Sequence, residues 1–232
     1  MITRTTGEDI AQKTREFWMH QVNSVAFTAL AAGKEIGHRI ADRVDEETTS
    51  LLEEHYETKF EVDRTGRRRA RSMGDIWLKS EGIYNPINVK AGEIGKNGQP
   101  NMVSLGKLLT ALLTRQIDSY YLLIVKMRLA EPRDVRVYFV DMLKYLNFTT
   151  FDSGPGQIML REREFYAAIE RREAPSARTM REEIAKLSEM LEDADRRLFL
   201  NRQRRVAAIR KHLTDYDGLG GHVVDQGRLG LG

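Results

Sequence analysis

The stretch GDIWLKSEGIYNPINVKAGE, residues 74–93, reads as two short strands joined by a turn. DIWLK and YNPINVK carry β-branched and aromatic residues, SEGI places Gly82 where a turn needs conformational freedom, and Pro86 argues against helix. Side chains alternate across a strand, so Asp75 and Trp77 share one face of the first strand and Asn88 and Lys90 share one face of the second. Ile87 and Val89 then point into the core. If the strands are neighbours, a carboxylate, an amide and an ammonium meet at one sheet edge, a set that suits a hard cation beside a phosphate. An ordinary surface hairpin carries the same pattern, so alternation alone leaves both readings open.

Outward from this hairpin the chain alternates between two periods. VSLGKLLTALL is amphipathic and helical, whereas YYLLIVKMRL and VRVYFVDML are apolar runs expected to be strands buried on both faces, with EPRD turning between them. Upstream, from Glu8 to about Tyr56, Ile10, Phe17, Val22, Val25, Leu30, Ile36, Ile40, Val44 and Leu51 recur at steps near three and four, which predicts two or three helices. The capping chemistry of DEETT places one break between Val44 and Thr49. Helix, strand, strand, helix, strand, strand is an α/β order: a mixed central β-sheet flanked by helices.

Beyond the sheet, Met180, Ile184, Leu187, Leu191, Ala194 and Leu198 alternate steps of four and three, predicting a long helix from Arg178 to Leu213. Its phase slips before Val206, Ile209 and Leu213, and it carries a basic run from Arg196 to Lys211. The expected organisation is an α/β core with N-terminal helices over residues 1–170, a basic helical segment over 171–215 packed on the core or on a partner, and a Gly-rich tail over 216–232.

Composition narrows the function classes. The 232 residues are 41% hydrophobic and 31% charged, with no apolar run near the eighteen residues a membrane helix needs, so a soluble cytoplasmic protein is expected. The absence of cysteine removes disulfide scaffolds, thiolate zinc sites and thiol nucleophiles. Lys plus Arg at 37 against Asp plus Glu at 34 leaves a net charge of only +3, which permits basic patches without requiring an anionic partner. The five histidines form no H-E-x-x-H or other ligand cluster, and Gly92, Gly95 and Gly98 lack the Lys-Ser/Thr ending of a phosphate loop.

At Asp75 and Asn88-Val89-Lys90 the sequence resembles the PD-(D/E)XK nuclease superfamily, and within it the type II restriction endonucleases. Their core opens one strand with Asp and carries an acidic-x-Lys on the next. The helical N-terminus, the apolar helix after the Lys strand and the two long apolar strands are similar to the family's order, over roughly Gly33 to Leu143. The resemblance implies a restriction-endonuclease-like fold, double-stranded DNA as substrate, a homodimer for a symmetric site, and phosphodiester hydrolysis with Mg²⁺ at Asp75. Lys90 would orient the water and stabilise the developing charge. The chain departs from the pattern by placing Asn88 at the second metal-binding position. Either Asn88 is an inactivating replacement in an intact site, or a helical glutamate, Glu35 or Glu53, completes the metal set.

For DNA contact the candidates are Arg67, Arg68, Arg69 and Arg71 beside Asp75, and Lys96, Asn97, Gln99 and Asn101 in the polar loop after Lys90, with Gln157 expected in a later turn. Basic groups neutralise phosphates, and amides and guanidinium groups read base edges. The second reading, from another class, is a catalytically silent DNA-binding or coiled-coil assembly protein on the same fold.

Overall fold

The computed structural model describes residues 2–24, 38–62, 64–67, 72–152, 156–171, 173 and 179–218. Helix α1 (Arg4–Val22) is capped by Thr3, whose side chain accepts from the Thr6 N–H, and it buries Ile10, Thr14, Trp18 and Val22, one residue every fourth position. Helix α2 (His38–His55) runs unbroken through Val44–Thr49, contrary to the expected break. Thr48 faces inward and accepts the Trp18 indole N–H at 2.9 Å, so tertiary burial overrides the capping pattern of DEETT. The expected helical positions Val25, Leu30 and Ile36 lie outside the described residues.

The central sheet has five strands in the order β1-β2-β3-β5-β6. These are β1 (Thr58–Lys59), β2 (Ile76–Ser80), β3 (Ile83–Glu93), β5 (Tyr121–Arg128) and β6 (Asp134–Asp141). β2 and β3 form the expected antiparallel hairpin, with Ile76 opposite Ile87, around a turn in which Glu81 and Gly82 both have positive φ, 51° and 84°. β3 runs parallel to β5, with Asn88 opposite Leu122, so the chain between them must cross over; it does so through β4 (Asn101–Ser104) and helix α3 (Leu105–Leu113). The helical run is therefore shorter than VSLGKLLTALL suggests, because Val103 and Ser104 belong to β4.

β5 is buried on both faces, as expected of a central strand flanked by β3 and β6. β6 is not. It lies at the sheet edge and only Val135 is fully buried, its apolar run interrupted by Arg136 and bounded by Asp134 and Asp141. One face of the sheet, with Ile76, Leu78, Ile87, Val89, Leu123 and Val125, packs on α1 and α2. The other, with Trp77, Leu122 and Ile124, packs on α3, on the 3-10 segment Met142–Phe148 and on a second sheet ordered β4-β8-β7.

This second sheet, with β7 (Thr149–Asp152) and β8 (Gln157–Leu160), has no counterpart in the sequence reading. Gln157, expected in a turn, opens β8 opposite Ser104. Helix α4 (Glu162–Glu170) follows, and α5 (Met180–Gly218) closes the described chain. Residues up to Leu191 form one compact unit, in which Leu187 is fully buried and Met180, Ile184 and Leu191 pack around it. From Glu192 the helix forms a unit of its own, with Phe199, Val206, Ile209 and Leu213 each about half or more exposed. No helix among the described residues is long and apolar enough to cross a membrane.

Candidate functional site

The hairpin brings Asp75 and Asn88 together. Asp75 stands one residue ahead of β2; its N–H donates to the Ile87 carbonyl at 2.8 Å, and its Oδ2 accepts the Val89 N–H at 2.7 Å. The carboxylate is thus clamped to β3 between Asn88 and Lys90. Gly74 permits this approach, since a Cβ there would lie 2.7 Å from the Pro86 Cβ and 3.0 Å from the Ile87 backbone. Lys90 is half-buried on the same face of β3 as Asn88, and no ion pair among the described residues engages its ammonium.

Asn88 is buried, and its Nδ2 donates to the Tyr120 hydroxyl at 3.0 Å and the Met102 carbonyl at 3.2 Å. Tyr120 in turn donates to the Met73 carbonyl at 3.0 Å. Burial, with the Asp75 charge close by, pushes the Tyr120 phenol far above its ordinary range, so it stays protonated and donates. This knot ties the chain before β2, strand β4 and the entry to β5 around Asn88. The Asn88 Oδ1 is buried and has no hydrogen-bond partner, a neutral oxygen whose bonding capacity the protein leaves unused.

The polar loop after Lys90 is held from below. Lys126, buried on β5, donates to the Lys96 carbonyl at 2.8 Å and pairs with Glu162 at 3.2 Å. The same Glu162 oxygen accepts the Gly98 N–H at 2.7 Å, and Tyr166 donates to its other oxygen at 2.8 Å. Lys96, Asn97 and Gln99 are exposed on this braced loop, whereas Asn101, expected in it, is exposed at the start of β4 opposite Met159. Arg67 is exposed before the hairpin, whereas Arg68, Arg69, Arg71 and the metal candidate Glu35 lie outside the described residues. Glu53 is exposed on α2.

Sequence reasoning missed Tyr120, Lys126 and Glu162. Tyr120 and Lys126 sit in apolar runs that read as core, and Glu162 is one charge among many; only the pairing across the fold singles them out. Among the described residues no group of three or more His, Cys, Asp or Glu could hold a metal ion. No family model matches the chain, and neither does any curated protein.

Proposed function

We propose that the chain is a Mg²⁺-dependent, sequence-specific DNA endonuclease resembling the type II restriction enzymes, acting in the cytoplasm as a homodimer. The observation that carries the reading is the clamp of Asp75 onto β3 between Asn88 and Lys90, on a hairpin whose second strand runs parallel to β5 across a helical crossover. A carboxylate bonded to the Val89 N–H, next in sequence to Lys90, supports a site for hydrolysis of a phosphodiester beside a cation.

The donor set suits Mg²⁺, which commonly takes one or two protein carboxylates and completes its shell with water and substrate phosphate. Asp75 and the orphaned Asn88 Oδ1 would hold it, with Glu35 the nominated third donor. Bound there, the cation supplies Lewis acidity and a water of lowered pKa. Lys90 supplies a fixed positive charge against the scissile phosphate, and Tyr120 holds the Asn88 amide nitrogen, which leaves its oxygen without a protein partner. Arg67, Arg68, Arg69 and Arg71, the loop residues Lys96, Asn97 and Gln99, and Asn101 at the start of β4 would contact the duplex.

A neutral residue at position 88 favours the second reading, a silent DNA-binding or assembly protein on this fold. Incubation of plasmid DNA with the protein and Mg²⁺ separates the two. Discrete fragments support the endonuclease, and retarded but intact plasmid supports the silent protein.

A further inference from the structure

We propose that the cavity between β2 and α3 receives one nucleotide of a DNA strand lying along Asp75, its base inside and its phosphate at the rim. This rests on the endonuclease reading for the identity of the strand. The cavity has a volume of about 840 Å³, within the usual range for small-ligand sites. Met73 and Trp77, which line it, stand two residues before and two residues after Asp75, and Trp77 shares Asp75's face of the strand. The pocket therefore adjoins the place where a scissile phosphate would sit.

Its walls match a nucleotide in both halves. Met73, Trp77 and Ala111 are buried and offer apolar surface to a base. The Trp77 indole N–H is buried without a hydrogen-bond partner. Glu61, Thr110 and Gln116 line the same space and add polar atoms suited to base edges. At the rim stand two ammonium groups. Lys59 lies over the Trp77 and Tyr84 rings at 5.5 and 4.2 Å, and Lys107 is exposed in the first turn of α3, where the helix dipole also favours an anion.

The test uses the full chain in Ca²⁺, the four 5′-deoxynucleoside monophosphates, the four nucleosides and the four homotetranucleotides, with tryptophan emission and calorimetry as readouts. For at least one base the tetranucleotide binds about tenfold more tightly than its monophosphate, and the monophosphate more tightly than the nucleoside. Lys107→Glu and the cavity-filling Thr110→Trp each weaken that binding by about tenfold, with melting temperatures near that of the parent. Both positions are exposed, so folding is preserved, and calorimetry reads binding in the variant with an added tryptophan.

No binding by any probe, binding indifferent to both variants, or monophosphates preferred to tetranucleotides overturns the proposal. The last result assigns the cavity to a free nucleotide. Plasmid cutting without nucleotide binding discards the pocket and keeps the endonuclease, and binding without cutting does the reverse.

Discussion

Asn88 is where sequence and structure meet most sharply. Read as a member of an acid-x-Lys motif, it looks like a missing carboxylate; in the fold its amide nitrogen is a donor in a buried knot with Tyr120 and Met102. Asn88→Asp would turn a carboxylate toward the Met102 carbonyl, and in EDTA the variant should lose about 1–3 kcal/mol of stability. Millimolar Mg²⁺ should recover more of that loss in the variant than it adds to the parent, because the new charge joins Asp75 at one cation. Melting with and without Mg²⁺ checks this, and equal Mg²⁺ effects on both proteins would contradict a shared cation. At Asp75 the choice of substitution matters, since Oδ2 accepts the Val89 N–H. Asp75→Asn retains an acceptor and should abolish cleavage while DNA affinity in Ca²⁺ persists, whereas Asp75→Ala should also loosen the hairpin. The alternation of residues 74–93 made Asp75, Asn88 and Lys90 legible as a set. It could not reveal which Asn88 atom is engaged, because that depends on Tyr120, thirty-two residues downstream.

Elements were legible where period and punctuation agreed. The hairpin around Gly82, the apolar β5 and the start of α5 have one dominant signal each. The short strands β4, β7 and β8 do not: four residues hold too few alternations to stand out, and they form a sheet only through pairing with one another. The loop from Gly95 to Pro100 looked like a flexible turn, yet it is anchored by the Lys126–Glu162 pair, whose side chains are only 6% and 10% exposed. Lys126→Met leaves Glu162 charged and buried and should cost about 3–5 kcal/mol, whereas the double change Lys126→Met, Glu162→Leu should cost less. Chemical denaturation of the three proteins checks the order. Below β6 a second polar cluster sets a pH dependence. Burial, reinforced by Glu183, raises Asp141 to about 6, although Lys144 and the Ser119 hydroxyl pull the other way. A carboxyl that ionises less readily in the folded chain favours folding at pH 4, and that margin is lost as pH rises through about 6. Asp141→Asn should therefore gain stability relative to the parent between pH 4 and pH 8, and parallel melting curves across that range would contradict the assignment.

The whole molecule combines a core bearing the Asp75 site with a helix whose distal unit exposes Phe199, Val206, Ile209 and Leu213 at steps of seven, three and four. That spacing matches a heptad repeat, and in the proposed homodimer it would form the seam, with the basic run from Arg196 to Lys211 left for the phosphate backbone. Light scattering should find a dimer that Val206→Glu with Ile209→Glu converts to monomer, and a monomer in both proteins would remove the twofold reading. Sequence showed a stripe from Met180 to Leu198 but could not say whether it packs within the chain, since the heptad spacing is the same either way; Leu187 is fully buried in the core unit, whereas Phe199, which the period did not single out, is mostly exposed. The most direct measurement is cleavage of plasmid DNA in Mg²⁺ by the parent and by Lys90→Ala, with duplex binding in Ca²⁺ followed in parallel. An Mg²⁺-dependent fragment pattern from the parent, lost in Lys90→Ala at unchanged binding, is the expected result. Binding by the parent without any cutting, or cutting that survives the loss of Lys90, would contradict a phosphodiester-hydrolysing site on the β2–β3 hairpin.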